Sequence, residues 1–167
     1  MAREILSGMA GALGLAVDTA IDGAQALATL VQADANNQPY DLVLMDWKMP
    51  VMDGVETTRQ LQASTMARIP AVIMVTGHGR EEAVQFAQER GVALKTALTK
   101  PITAASLVDA ICEALNLGFV DDTRAHDKTS NQTDALSALA GVRVLLVEDN
   151  DMNQELAMDL LRGAGMQ

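Results

Sequence analysis

Acidic, hydroxyl and amine side chains follow directly after short apolar runs. Asp46 follows Leu-Val-Leu-Met, Thr76 follows Ala-Val-Ile-Met-Val, and Lys100 follows a fourth run; Glu148 and Asp149 follow Val-Arg-Val-Leu-Leu-Val. Nearly continuous apolar runs are typical of strands buried on both faces of a parallel sheet, and the carboxyl ends of such strands meet at one edge. The pattern therefore predicts one site built by four strands.

The residue types in that site point to metal-assisted phosphoryl chemistry. Clustered carboxylates repel one another unless a cation joins them, and Mg²⁺ suits carboxylates, waters and phosphate oxygens. A carboxylate beside Mg²⁺ can attack a phosphoryl group and become an aspartyl phosphate. Lys100 would then pair with the phosphoryl charge and Thr76 would donate a hydrogen bond to one of its oxygens. Asp46 alone could simply end a strand, but its combination with Thr76 and Lys100 favours the site.

The elements that must position these residues alternate along the chain. Apolar runs predict strands, and stretches with helical spacing of apolar residues lie between them. Such alternation predicts an α/β doubly wound fold with a parallel sheet. The predicted strands are 15–20, 42–45, 71–75, 93–98 and 142–147, and the predicted helices are 23–34, 55–66, 80–90 and 103–116, with a further helix after residue 150.

Composition narrows the class of protein. A chain of 167 residues that is 49% hydrophobic can bury one ordinary core. A net charge of -10 argues against nucleic acid and an anionic membrane surface as partners and favours a cation or a basic partner. No apolar run approaches the roughly 20 residues that span a bilayer. The single cysteine, Cys112, excludes an intrachain disulfide, so we expect a core thiol and a cytoplasmic protein.

Internal similarity predicts the domain organisation. Residues 154–166 align without gaps on residues 3–15, matching Glu155 with Glu4 and Gly165 with Gly14. We therefore expect a window across two tandem copies. The expected parts are a domain lacking its first strand at 1–117, a polar linker at 118–140, and the first strand and helix of a second copy at 141–167.

The missing first strand leads to a structural expectation. In this fold the first strand is central, so we expect residues 142–147 to fill its place, either within one molecule or by exchange between two in a domain-swapped homodimer. Residues 152–163 would then compete with residues 3–13 for one helix site. The site would be a composite, with Glu148 and Asp149 facing Asp46.

The quoted motifs resemble a known family. DLVLMDWKMPVMDGVE, VIMVTGHG, LTKPIT and LLVEDN are similar to the phosphoacceptor, hydroxyl, Lys-Pro and acidic-pair motifs of the receiver domain of two-component response regulators. The resemblance covers residues 3–116 and 142–167. It implies a flavodoxin-like sheet of five parallel strands in the order 2-1-3-4-5, with the first strand supplied by the C-terminal segment. Two receivers in series resemble the tail of a hybrid sensor histidine kinase.

The resemblance also implies roles and partners. The phosphoryl donor would be a histidine kinase or a histidine phosphotransfer domain, and the chain, which has no kinase catalytic domain, would at most catalyse its own phosphorylation and dephosphorylation. No contact with nucleic acid or membrane is implied.

The resemblance also implies the role of each site residue. Asp46 would be the phosphoacceptor and a metal ligand, and Thr76 and Lys100 would act as argued above. The implied Mg²⁺ ligands are Asp149 as the chief ligand, Glu148 as its partner and the main-chain carbonyl of Lys48, and Pro101 lies at the family's cis-peptide position.

Departures from the family pattern keep two alternatives open. Ala97, three residues before Lys100, lies where many members carry Tyr or Phe. This difference slightly favours a degenerate receiver that binds partners without phosphorylation. The intact set of Asp46, Thr76 and Lys100 favours the phosphoacceptor. A Mg²⁺-dependent phosphatase with an aspartate nucleophile would carry a second acid two residues later, where this chain has Lys48. We interpret Asp53 and Gly54 as a turn and helix start, and give His78 no direct role.

Overall fold

The computed structural model describes residues 7, 8, 12, 14–117 and 142–147. Within them, five strands alternate with four helices that follow β1, β2, β3 and β4 in turn. All strand pairs are parallel. The elements are β1 (Ala16–Ala20), α1 (Gly23–Ala35), β2 (Leu42–Asp46), α2 (Gly54–Gln62), β3 (Ala71–Thr76), α3 (Arg80–Glu89), β4 (Thr96–Thr99), α4 (Ala104–Ala114) and β5 (Arg143–Val147).

The last strand in the sequence occupies the centre of the sheet. The spatial order is β1-β5-β2-β3-β4. β5 pairs with β1, aligning Arg143 with Ala16, and with β2, aligning Val144 with Leu42. Counting β5 first turns this order into 2-1-3-4-5, so the expected flavodoxin-like sheet, with its first strand supplied by the C-terminal segment, is confirmed.

Both faces of the central strands are covered. Val144 and Leu146 belong to a buried cluster with Leu107 and Ile111 of α4. Leu145 and Val147 point into the opposite cluster, which α1, α2 and α3 complete. Because side chains alternate across a sheet, this division explains why the central strands are apolar at nearly every position. All four residues of β5 from Val144 to Val147 are fully buried.

Side-chain caps place the helix starts. Asp22, Asp53 and Thr103 each accept a hydrogen bond from a main-chain N–H three residues later, satisfying a donor that the first helical turn leaves free. The interpretation of Asp53 and Gly54 as a helix start is thus confirmed. Among the described helices, none is both long and apolar enough to cross a bilayer.

Two expected element boundaries are wrong. The helix predicted over 55–66 ends at Gln62, where the N–H of Ser64 donates to the Leu61 carbonyl at 3.1 Å and closes a tighter turn. Beyond it, the N–H groups of Ala67 and Arg68 donate to the Asp34 carboxylate on α1. The strand predicted over 93–98 begins at Thr96. The main chain of Ala93 exchanges hydrogen bonds with the Gln62 side-chain amide and is not part of the strand ladder.

Candidate functional site

Three of the predicted site residues lie around the ends of β2, β3 and β4. Asp46 is the last residue of β2 and is 6% exposed; Thr76 ends β3 and is 1% exposed. The ammonium group of Lys100 lies 3.2 Å from Oδ1 of Asp46. The main-chain N–H of Lys100 donates to the Thr76 carbonyl at 2.7 Å. This hydrogen bond holds the lysine at the end of β3, the strand next to β2.

The loop after Asp46 is folded back tightly onto the strand that carries it. The N–H of Trp47 donates to the Val75 carbonyl at 2.8 Å, and the N–H of Gly54 donates to the Trp47 carbonyl at 2.8 Å. A Cβ at Gly54 would lie 2.3 Å from the Asp46 carbonyl oxygen, so only glycine permits this approach. The loop therefore holds the carboxylate in a fixed position at the sheet edge.

The loop after Thr76 is organised by the threonine itself. The N–H of His78 donates to Oγ1 of Thr76 at 2.9 Å, and the Thr76 hydroxyl donates to the His78 carbonyl at 3.2 Å. Threonine hydroxyls often form such hydrogen bonds with main-chain groups in short turns. The hydroxyl lies at the same edge of the sheet as Asp46. An anionic oxygen bound there could replace the His78 carbonyl as the acceptor of the Thr76 hydroxyl.

Lys48 and His78 form a bridge across the site that the sequence analysis did not identify. Nζ of Lys48 lies 3.0 Å from Nε2 of His78, and the His78 ring meets Trp47 edge-on at 5.8 Å between centroids. The sequence did contain a signal for this contact. Lys48 stands two positions after the end of β2 and His78 two positions after the end of β3, and β2 and β3 are neighbouring strands. Equal offsets on adjacent parallel strands bring side chains together.

Trp47 and Ala97 complete the surroundings of the site. Trp47, the only tryptophan, is 4% exposed and packs against Phe86 of α3 with 5.2 Å between ring centroids. Ala97 is 5% exposed and belongs to the same buried cluster. The position that carries an aromatic residue in many receivers is therefore a closely packed small residue here.

The predicted acidic pair falls beyond the described part of the chain. β5 ends at Val147, which is paired with Met45, the residue before Asp46. Glu148 and Asp149 follow Val147 in the sequence and lie outside the described residues. Within residues 14–117 and 142–147, no three acidic, histidine or cysteine side chains form a group able to hold a metal ion. The Lys48 carbonyl accepts no hydrogen bond from the described residues.

Lys100 and Pro101 are joined by a cis peptide bond, as the resemblance implied. Cys112 is buried on α4, as expected of a core thiol, and burial raises its pKa above the ordinary value. Neither feature changes the assignment of the site to the ends of β2, β3 and β4.

Comparison with known proteins identifies the family. The family model described as "Response regulator receiver domain" matches residues 1–112. The chain belongs to this receiver family. "Response regulator PleD" of Caulobacter vibrioides is 32% identical over 153 residues, which are 86% of this chain and 32% of that protein. "Probable histidine kinase 2" of rice is 34% identical over 115 residues, which are 62% of this chain and 11% of the rice protein. The chain thus spans about a third of the length of the Caulobacter protein and about a tenth of the length of the rice protein.

Solved receiver structures are similar in fold. The receiver domain of sensor histidine kinase PA1611 from Pseudomonas aeruginosa, described with a magnesium ion in its active-site cleft, has a TM-score of 0.55 and 28% identity, covering 68% of this chain and 88% of that chain. A receiver domain from Clostridium thermocellum has a TM-score of 0.57 and 29% identity, covering 70% and 86%. The parallel sheet and its helices are thus those of a flavodoxin-like receiver of two-component signalling.

Proposed function

We propose that this receiver accepts a phosphoryl group on Asp46 from a phosphohistidine donor in the presence of Mg²⁺. One observation carries the proposal: the ammonium group of Lys100 lies 3.2 Å from the Asp46 carboxylate, although 54 positions separate the two residues. A buried carboxylate needs a compensating charge, and a lysine held at that distance can remain close to the anionic product.

The proposed transfer conserves atoms and charge. A carboxylate oxygen of Asp46 attacks the phosphorus, the bond between phosphorus and the donor imidazole nitrogen breaks, and its electron pair returns to the imidazole. Lys100 pairs with the transferred phosphoryl group, and the Thr76 hydroxyl donates to one of its oxygens. In the structure the Thr76 hydroxyl donates to the His78 carbonyl and Lys100 lies against Asp46, so each would turn from its present partner toward the phosphoryl oxygens. Donors held this close to the reacting atoms can stabilise the charge that develops there.

Mg²⁺ fits the chemistry of the proposed ligands. The set combines the carboxylates of Asp46, Asp149 and Glu148 with the Lys48 carbonyl, all of which are hard oxygen ligands. The Lys48 carbonyl is without a hydrogen-bond donor from the described residues, which leaves its lone pairs for a cation. Bound Mg²⁺ would neutralise charge on the carboxylates and on the incoming phosphoryl group.

Domain boundaries and partners complete the proposal. We infer a receiver over 1–117, a linker over 118–140, and a strand and helix of a second receiver over 141–167; β5 within the sheet supports the last part. The proposed donor is a histidine kinase or a histidine phosphotransfer domain in the cytoplasm. The rice relative supports a hybrid histidine kinase as the parent protein.

Incubation with acetyl phosphate and Mg²⁺ tests the function. Intact mass should show one added phosphoryl group on the wild-type chain and none on Asp46→Asn. Trp47 fluorescence should report Mg²⁺ binding, because this single tryptophan follows Asp46 directly. A chain that stays unmodified would be a degenerate receiver, and continuous phosphate release without a stable product would indicate the phosphatase alternative.

A further inference from the structure

One face of the sheet has space for a helix in addition to α4. The helices α1, α2 and α3 cover one face, whereas α4 lies on the other and packs mainly against β3 and β4. A helix is about 10 Å wide and neighbouring strands are about 4.8 Å apart, so one helix covers about two strands. The surface over β5 and β1 therefore has space for one more helix beside α4.

The strand residues beneath this space are covered. Val144 and Leu146 of β5 point to this face and are fully buried, and Val17 of β1 is partly buried against the same cluster. Because α4 contributes to the cluster from the side of β3 and β4, we attribute the remaining cover to a further segment of the chain. The surface formed by Val17, Val144 and Leu146 is defined here as the helix site.

The residues before β1 indicate which segment lies there. Ser7, Gly8 and Ala12 are helical, and Gly14 has a φ of 78°. A glycine with positive φ commonly ends a helix, and the residue after it often packs against the last turn. Leu15 is 6% exposed and belongs to the same buried cluster as the helix site. A helix that ends at this glycine therefore leads into β1 from the face of the helix site.

Exposure shows which side of that helix faces the sheet. Gly8 and Ala12 are four positions apart, so they share one side of the helix, and both are exposed. The apolar stripe of Leu6, Met9 and Leu13 falls on a different side by helical spacing. We therefore expect this stripe to face the helix site.

A second segment matches the first in direction and length. Residues 152–163 begin shortly after β5, whose last residue, Val147, pairs with Ala20 at the end of β1. A helix that starts there and a helix over residues 3–13 that ends before β1 would both run antiparallel to the same two strands. Each would be about 17 Å long, similar to a strand of five residues.

We propose that residues 3–13 and 152–163 compete for the helix site, that residues 3–13 occupy it, and that their exchange for residues 152–163 strengthens Mg²⁺ binding. One site fits one helix, so the two segments exclude each other. The last part rests on the proposed function of Glu148 and Asp149 as metal ligands, because these residues join β5 to residues 152–163. Docking of residues 152–163 holds the acidic pair from both ends, and Mg²⁺ in turn favours the exchange by the same factor.

Matched neutral substitutions in the full chain test the competition. The alignment of residues 154–166 with 3–15 places Leu160 at the position of Met9, so Met9→Asn and Leu160→Asn are equivalent changes. The urea midpoint, followed by circular dichroism, should fall by about 0.5–1 M for Met9→Asn and match wild type for Leu160→Asn. The double variant should lose more than the two single losses combined, because the replacement helix is then weakened as well.

Mg²⁺ titration followed by Trp47 fluorescence tests the coupling. Met9→Asn should bind Mg²⁺ about fivefold more tightly than wild type, because the weakened segment yields to residues 152–163. Leu160→Asn should match wild type, and the double variant should lose the gain. Both substitutions leave the net charge unchanged, so a general electrostatic effect on the cation is excluded.

Each other result overturns a defined part of the proposal. A lower urea midpoint for Leu160→Asn alone overturns residues 3–13 as the occupant, and unchanged midpoints for both single variants overturn the helix site. A double variant whose loss is only the sum of the single losses overturns the competition. Unchanged Mg²⁺ affinity in Met9→Asn overturns the coupling. A wild type that binds no Mg²⁺ refutes the proposed metal ligands instead, while the urea midpoints still decide the competition.

Discussion

Asp41 and Arg143, which are 102 positions apart, hold the start of β5 against the start of β2. The main-chain N–H of Arg143 donates to Oδ2 of Asp41 at 3.0 Å, and the N–H of Asp41 donates to the Arg143 carbonyl at 2.9 Å. The other carboxylate oxygen of Asp41 accepts from Arg68 at 2.7 Å. One carboxylate therefore sets the register in which the central strand enters the sheet.

Asp41→Asn should destabilise the folded chain. The amide has one acceptor oxygen for the two donors that the carboxylate serves, so one charge-assisted hydrogen bond is lost. We expect the free energy of unfolding to fall by about 1–2 kcal/mol. Urea unfolding followed by circular dichroism measures it. Asp109→Asn on the exposed face of α4 is the matched control, and equal midpoints for the two variants would contradict the role of Asp41.

Most of the fold can be predicted from the sequence, because the spacing of apolar residues and the length of an apolar run are properties of a short stretch of the chain. Both the buried run at 142–147 and the amphipathic helix around Leu107 are visible without a structure. The element ends at Gln62 and Thr96 could not be predicted in the same way. Near both ends the chain makes hydrogen bonds to distant residues, Ala67 to Asp34 and Ala93 to Gln62, and these partners are about 30 positions apart along the chain.

The candidate site was predictable to a similar extent and for a related reason. Parallel strands bring the residues at their carboxyl ends together, so the proximity of Asp46, Thr76 and Lys100 follows from topology. The Lys48–His78 contact had only a positional signal, the equal offset of the two residues from the ends of neighbouring strands. Whether the side chains meet depends on their conformations in two loops, which the structure shows.

Tyr40 should titrate far above the usual range for tyrosine. Burial and the hydrogen bond that its hydroxyl donates to Oδ2 of Asp18 at 2.6 Å raise its pKa to about 12. Because Tyr40 is the only tyrosine, the near-ultraviolet absorbance of the phenolate reports this group alone. The folded midpoint should lie well above that of the urea-unfolded chain, Asp18→Asn should lower it, and Tyr40→Phe should abolish the absorbance change.

The same shift makes stability depend on pH in the alkaline range. The unfolded phenol loses its proton near its ordinary pKa of about 10, whereas the folded chain keeps it. The resulting stabilisation is fully present below that pH and is lost as the pH rises through the folded pKa, with an upper limit of about 2–3 kcal/mol. Urea midpoints of wild type should therefore decline more steeply above pH 10 than those of Tyr40→Phe. Parallel declines would contradict the shift.

Lys100→Gln should slow phosphorylation of Asp46 strongly. The substitution removes the positive charge 3.2 Å from the Asp46 carboxylate and keeps a polar side chain of similar length. We expect the rate with acetyl phosphate to fall by about two to three orders of magnitude, as when a fixed electrostatic contact to a transition state is removed. Intact mass against time gives the rate. Lys95→Gln, an exposed lysine before β4, should match wild type, and similar rates for both variants would remove Lys100 from the site.

An aromatic residue should not be tolerated at Ala97. This side chain is 5% exposed and belongs to a buried cluster with Ala83, Ala87 and Trp47, so a ring at this position would have to displace buried neighbours. Ala97→Phe should therefore lower the free energy of unfolding by about 1–3 kcal/mol through overpacking. Ala93→Phe, at an exposed position of the preceding loop, is the control. If Ala97→Phe is as stable as wild type, the site can accommodate an inward aromatic residue after all.

Two inactive variants should remain inactive when they are mixed. Asp46→Asn lacks the proposed acceptor and Asp149→Asn lacks the proposed chief metal ligand, so neither should be phosphorylated alone. In the structure, β5 completes the sheet of its own chain. We therefore expect no modification after the two variants are unfolded together, refolded and incubated with acetyl phosphate and Mg²⁺. Refolded wild type is the positive control.

Recovery of activity in that mixture would have a specific structural meaning. A chain with Asp46 but without Asp149 could be phosphorylated only if the other chain inserted its β5 and the acidic pair that follows it. An affinity tag on the Asp149→Asn chain identifies the modified molecule by mass, and its elution volume in size-exclusion chromatography separates a swapped dimer from a monomer. Phosphate on the tagged chain in a dimer peak would contradict the intramolecular arrangement, because exchange is the only route by which the two halves of the site meet.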